Sequence, residues 1–224
     1  MFIGHFAVGF ATKPLAPKAS LGWLMLAPMF CDVLWPLFLA LGIETTDIVP
    51  GYTAFTPLKL YDQAWSHSVV MVLVYALALA GVYFALNRDR RGALVVAGGV
   101  VSHWVLDVLT HRPELQLYPG GEHVLGLELW ASVPGTVAVE GLLFAGSTLV
   151  YARTTEPLTR FGTVGFVSMV GLLVLVYAAT VLGPPPPSWQ LMMYLAFSSW
   201  GLLLWAHLFD RRRARVKSEA TSEI

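Results

Sequence analysis

Charge is what this sequence has least of. Only 12% of its 224 residues are Asp, Glu, Lys or Arg, against about 25% in ordinary soluble domains. With 56% hydrophobic content, that shortage excludes an ordinary soluble domain. The formal net charge is zero and the only basic tract is RRRARVK near the C-terminus, which leaves no case for nucleic-acid binding. A single cysteine, Cys31, excludes an intramolecular disulfide. It lies in an apolar run and reads as a small core residue, with a soft metal ligand beside Asp32 as the alternative. Internal repeats are absent, and the only low-complexity stretch is Pro184 to Pro187, a stiff turn. The opening MFIGHFAVGFATK lacks both a basic stretch before its apolar residues and a small-residue cleavage site. It reads as retained, and it carries His5.

What is present is a series of long apolar runs. Six segments, 20–42, 66–86, 93–111, 130–151, 161–182 and 189–209, are each long enough to cross a bilayer, which takes about 20 helical residues. Residues 1–12 would be about 18 Å long as a helix, which predicts a half-span or a tilted, inserted helix. The expected fold class is all-α: a multi-pass transmembrane bundle of about six spans, one domain over 1–210, with a basic, polar tail at 211–224. Trp23, Trp65, Trp130 and Trp189 fall near span ends, as interfacial aromatics do. Lys13, Lys18, Arg88, Arg90, Arg91, Arg153, Arg160 and the tail arginines all fall on one side of this topology, leaving Lys59 and Arg112 on the other. The positive-inside rule makes the richer side, and the C-terminus, cytoplasmic, in a cell (inner) membrane.

Inside these runs stand ionisable groups. His103, Asp107 and His111 follow one another at four-residue spacing in SHWVLDVLTH, one face of a helix. Asp32 interrupts another span and Glu140 a third. At 1.5 Å per residue, Asp32 lies about 20 Å from Lys18, His103 about 18 Å and Asp107 about 24 Å from Arg91, and Glu140 about 20 Å from Arg153. His67 comes to about 31 Å from Arg88, and His5 to about 12 Å from Lys13. Five segments thus bring a His or an acid into the outer half of the membrane. Such burial costs at least a few kcal/mol and marks function.

Imidazole and carboxylate are common ligands of zinc, manganese and non-haem iron. His103 and Asp107 would give two donors from one helix, with His5, Asp32 and His67 closing the shell. A divalent ion also removes repulsion between buried carboxylates, and it acidifies a bound water for attack on an ester, amide or phosphoester. The competing reading of His103 and Asp107 is an interhelical hydrogen-bond staple. His111 is open between a ligand, a group orienting a ligand, and a rim residue touching substrate. Glu140 is open between a general base and the hydrogen-bond partner of a ligating His. His123 and His207 read as structural, and Asp47, Glu114, Glu122 and Glu128 as solvated surface charges.

The ordered set of GHFAVG, an Asp in the next apolar segment, WSHSV, and SHWVLDVLTH followed by LYP resembles the inner-membrane metal-dependent hydrolase family, over roughly residues 1–120. The resemblance implies a metal site built from His5, Asp32, His67, His103 and Asp107. Two positions depart from the family pattern. Asp62 and Gln63 stand where members often carry His and Arg, and MFCDV stands where they often carry Pro-Asp-x-Asp. Asp62 can still ligate as a carboxylate; the lost donors imply one metal instead of two, or lost activity. The order of His, Asp, His and His-x-x-x-Asp is also similar to that of zinc-dependent phospholipases C and single-strand nucleases, which implies membrane lipids as partners and a phosphoester head group as substrate.

The leading expectation is a membrane-embedded metal-dependent hydrolase of lipid-like or phosphoester substrates, with a divalent metal, zinc before manganese or iron, and with Glu140 and His111 as candidate catalytic groups. The alternatives are a transporter or ion-conducting protein using Asp32, Glu140 and His103, for which Pro28 and Pro36 flanking Asp32 argue, and a non-catalytic scaffold with a structural metal.

Overall fold

Hydrocarbon offers no partner to a backbone N–H or C=O, so a spanning segment must satisfy both internally, and the helix does this. A computed structural model, which describes residues 1–216, folds accordingly. The N-terminal α1 (Ile3–Thr12) leads to α2 (Leu21–Ala40). A ribbon of β1 (Thr45–Ile48) and β2 (Leu58–Asp62) and the short α3 (Ala64–His67) precede α4 (Val69–Asn87) and α5 (Arg90–Thr110). Next come β3 (Leu115–Gln116), β4 (Val124–Leu125), a 3-10 turn (Leu129–Ala131) and α6 (Val133–Thr154). The chain continues through β5 (Thr155–Pro157), α7 (Arg160–Leu182), α8 (Trp189–Phe197), α9 (Ser199–Asp210) and β6 (Arg213–Arg215). The expected all-α, multi-pass bundle is what forms, with six helical stretches long and apolar enough to cross a membrane. The strands make three small antiparallel ribbons, β1–β2, β3–β4 and β5–β6.

Local chemistry sets the helix ends. Ser68, Ser132, Thr159 and Ser188 each accept a backbone N–H from three residues on, starting α4, α6, α7 and α8; such caps are worth about 1 kcal/mol each. Arg88, left-handed at φ 53°, closes α4 and turns the chain into α5. The last span, expected as one segment over 189–209, breaks at Ser198, whose hydroxyl donates to the Leu195 carbonyl. A hydroxyl inserted in the helical ladder is a recognised cause of such a break. Of the tail expected at 211–224, residues 213–215 pair with β5, and 217–224 lie outside the described residues.

The short α1 is the hub. It is buried almost throughout and packs against α2, α5, α6 and α7, with Phe6 and Phe10 among Tyr151, Phe144, Met169 and Leu173. This bears out an inserted half-span. Over half of α2 is buried (56%) but only 22% of each of α4, α6 and α7, so α1 and α2 form the centre and the others a wall. The wall's outer faces show Leu77, Leu142 and Leu182 at 75–84% exposure; rows of such residues fit lipid rather than water.

Apolar burial does little to hold helices together in lipid, so close packing and polar bonds must. Gly9 and Gly99 provide the packing. A Cβ at Gly9 would stand 3.0 Å from the Met25 Cα, and one at Gly99 2.8 Å from the Ala27 Cβ. The second contact draws α5 against α2 one turn before His103. At the arginine-rich end, buried Asp210 accepts from Lys13 Nζ (2.6 Å), Tyr151 Oη (2.6 Å) and the Leu21 N–H (2.9 Å). That knot joins α9, α6 and the α1–α2 link.

Candidate metal centre

α5 presents His103 and Asp107 on its buried face. His103 Nδ1 lies 2.7 Å from the Pro28 carbonyl of α2. A carbonyl only accepts, so Nδ1 holds the proton and the neutral ring's Nε2 is a lone pair. That lone pair stands 2.9 Å from Asp107 Oδ2, yet Nε2 has no hydrogen-bond partner of acceptable geometry.

His67 is fixed in the same sense by a second device. Glu44, 1% exposed, accepts both the N–H and the O–H of Ser66 at 2.7 Å. With its one proton donated there, Ser66 Oγ accepts from His67 Nδ1, which leaves His67 Nε2 as a lone pair too. It faces Asp32 Oδ1 at 3.4 Å and Asp107 Oδ2 at 3.9 Å.

From α1, His5 stacks on His103 with ring centres 4.0 Å apart. Its Nε2 lies 3.0 Å from Asp107 Oδ1 and 3.9 Å from Asp32 Oδ2, and its buried Nδ1 has no partner. Neither tautomer satisfies both ring nitrogens. The Met1 amino group lies 2.6 Å from Asp107 Oδ1, so positive charge reaches that oxygen but not the Oδ2 side, where His103 and His67 point.

Two triads, His5–His103–Asp107 and Asp32–His67–His103, therefore have donor atoms within 4.8 Å of one another. Around a tetrahedral ion with ligands at about 2.0–2.1 Å, donor atoms stand about 3.3 Å apart. The observed spacings of 2.9 to 3.9 Å bracket that value, and the unpartnered His103 Nε2 faces a carboxylate oxygen. The group can hold a metal ion.

The five expected ligands thus come together. His111 stands at the margin, with Nε2 4.0 Å from Asp107 Oδ2, Nδ1 2.9 Å from Glu114 Oε1, and its ring 4.2 Å from that of Trp130. Glu140 faces the start of α1, where Oε2 accepts the N–H groups of Phe2 and Gly4 at 3.0 and 3.1 Å and buried Oε1 has no partner. Asp62 is exposed on β2 and accepts from the Ala64 N–H, apart from both triads. Its neighbour Gln63 is buried with neither side-chain amide atom partnered. Cys31 packs between α2, α4 and α5, and His207 bonds Ser20 at 2.8 Å.

No family model, curated protein or solved structure matches this chain.

Sequence reasoning passed over Glu44, Ser66 and Glu114. Glu44 follows α2, where burial pushes its carboxyl pKa up while Ser66 holds it. Glu114 read as a solvated charge; instead it bridges His111 and Tyr52 Oη, the latter at 2.8 Å. Burial, with the Glu114 carboxylate beside it, pushes Tyr52 up to about 12. Two signals were available: a hydroxyl residue directly before His67, and an acid three residues after His111.

Proposed function

We propose that this protein is a membrane-embedded, metal-dependent hydrolase whose ion is held by His5, Asp32, His67, His103 and Asp107. The observation that carries the reading is the His103 ring. Its proton is fixed on Nδ1 by Pro28, and its Nε2 lone pair is aimed at a buried carboxylate oxygen. Two acceptors at that distance repel unless a cation lies between them. Imidazole nitrogen and carboxylate oxygen suit zinc, with manganese or iron also accommodated. Such an ion would acidify a bound water and polarise an ester or phosphoester oxygen.

Asp32 favours catalysis over a purely structural metal. Its side chain is 32% exposed while those of His5, His103 and Asp107 are sealed, so the donor set opens on one side, as catalytic centres do. Lipid-like or phosphoester substrates fit a site within a bundle of this kind. The arginine distribution supports a cytoplasmic C-terminus in a cell membrane.

The test is metal content of the purified protein beside His103→Ala and Asp107→Ala. Stoichiometric divalent metal in the wild type, lost from both variants while they remain folded, is expected. Metal content indifferent to both substitutions would refute the centre. A second reading, an ion path, draws on Pro28 and Pro36 inside α2 on either side of Asp32. Proton or metal flux into proteoliposomes, abolished by Asp32→Asn, would favour it.

A further inference from the structure

Among the described Lys and Arg residues, Lys59 and Arg112 stand apart at the bundle end opposite the arginine clusters. The fold brings both to one residue. The Arg112 guanidinium lies 5.1 Å from the Tyr52 ring centre, and Lys59 Nζ lies 6.0 Å from it. Beside them opens a cleft of about 280 Å³ lined by Gly51–Ala54, Arg112, Glu128 and Ala131. Arg112 Nε donates to Glu128 Oε1 at 3.1 Å and Nη1 to the Tyr52 carbonyl at 3.2 Å. The side chains of Arg112 and Glu128 are each 45% exposed.

The backbone is arranged to put Glu128 there. It adopts left-handed φ 55°, ψ 33°, a region that non-glycine residues rarely occupy and that clusters at functional positions. Two bonds to the end of α5 hold it: the Leu127 N–H to the Val108 carbonyl at 2.7 Å, and the Glu128 N–H to the His111 carbonyl at 2.8 Å. Gly126 makes this strap possible, since a Cβ there would overlap the Arg112 carbonyl. The cleft is also joined to the candidate metal centre, because Tyr52 Oη donates to Glu114, which holds His111 beside Asp107.

A plain anion would meet Glu128 in this cleft, and a plain cation would meet Arg112. A head group carrying both signs meets neither obstacle. It exchanges one exposed ion pair, which is weak because water screens it, for two charge-assisted contacts. Arg112 also has the planar fork that suits phosphate. We propose that the cleft binds the zwitterionic phosphate–ammonium head group of a membrane amphiphile, with phosphate on Arg112 and ammonium on Glu128. This names a substrate class for the hydrolase reading and rests on that reading for its consequence, while the binding itself needs no metal.

The experiment is equilibrium binding to the full chain in a neutral maltoside detergent. The probes are dihexanoyl phosphatidylethanolamine, dihexanoyl phosphatidylglycerol and chain-free phosphoethanolamine. The first is expected to bind at least tenfold more tightly than either of the others. Arg112→Gln and Glu128→Gln should each weaken it at least tenfold, and Glu128→Gln should leave phosphatidylglycerol binding unchanged or tighter. Ala131→Trp, which fills the cleft and keeps the ion pair, should also block it; this keeps the test valid if a charge variant misfolds. His103→Ala should bind as the wild type does, so loss of the metal reading and loss of this one are separable. Binding indifferent to Arg112→Gln and Ala131→Trp, or phosphatidylglycerol bound as tightly as phosphatidylethanolamine, overturns the proposal. Equal binding of chain-free phosphoethanolamine overturns its assignment to a lipid.

Discussion

Ser66→Ala is the substitution that most directly tests how the centre is assembled. The Ser66 hydroxyl donates to Glu44 Oε2 and accepts from His67 Nδ1, so its removal strands His67 Nδ1 and one oxygen of Glu44, whose other oxygen keeps the Ser66 N–H. Each buried polar group left without a partner costs about 1–3 kcal/mol. Part of that loss falls on the bound state, because the His67 ring is then free to turn or to take the other tautomer, with its proton on Nε2. Partners that orient a ligating His are typically worth 10–100-fold in metal affinity, or about 1.4–2.8 kcal/mol. The neighbouring hydroxyl is an internal control. Ser68 caps α4 through the Met71 N–H, so Ser68→Ala should cost about 1 kcal/mol of stability and leave the centre alone. Zinc titration calorimetry on chelator-stripped protein in detergent should show the first variant weakened 10–100-fold and the second within twofold of wild type. If both variants bind zinc as the wild type does, the tautomer argument fails, and with it the assignment of His67 Nε2 as a donor.

Substitutions at three further positions probe the frame. Asp210→Asn leaves Lys13 without its carboxylate in a nearly buried site, and breaking such a pair costs about 3–5 kcal/mol; denaturation in detergent should show that loss, and unchanged stability would contradict the knot. Gly99→Val sets a side chain against Ala27 and should destabilise by about 1–3 kcal/mol, with weaker zinc binding because His103 lies one turn on; zinc affinity held at wild-type level would separate that packing from the centre. Glu140→Gln preserves an acceptor for the Phe2 and Gly4 N–H groups, whereas Glu140→Leu strands them at about 1–3 kcal/mol. A Gln variant that folds and binds metal but loses all hydrolysis would identify Glu140 as a general base, and one that keeps its activity confines it to capping α1.

How much could be read beforehand follows from the physics of each level. Span positions were legible within a few residues, since hydrocarbon length and backbone satisfaction leave the chain little choice. The five clustered side chains were legible because a buried charge in a span needs a reason, and depth counted from the flanking lysine and arginine already aligned Asp32, His103 and Asp107. The outer loops were not legible. Depth counting stops at the interface, and beyond it Glu44 and Glu114 look the same in sequence as Glu122, yet the first two are held by Ser66 and His111 while Glu122 is exposed. Asp62 shows the converse: adjacency to WSH suggested a ligand, but strand β2 turns it outward and buries Gln63 in its place. Pairings of loop carboxylates depend on how the ribbons fold over the helix ends, and no local period encodes that.

The same geometry keeps the cluster of His and Asp side chains together. Mutual repulsion between Asp32 and Asp107 would ordinarily push the two apart. Here the imidazoles are locked from outside the cluster, His103 by Pro28 and His67 by Ser66 and Glu44, so the rings cannot turn away to find other partners. The locks lie on α2 (Pro28), on α3 (Ser66) and just after α2 (Glu44), and the carboxylates on α2 and α5, so moving any one donor means moving a packed helix. Gly99 and Gly9 hold those helices too close for that. The arrangement therefore keeps its donors aimed inward in the absence of metal, at the expense of unsatisfied buried nitrogens. Such preorganisation is what tight, selective binding of a small cation requires. It also predicts that zinc raises the unfolding temperature of the wild type far more than that of Ser66→Ala, because only the former holds all of its donors in place before the ion arrives.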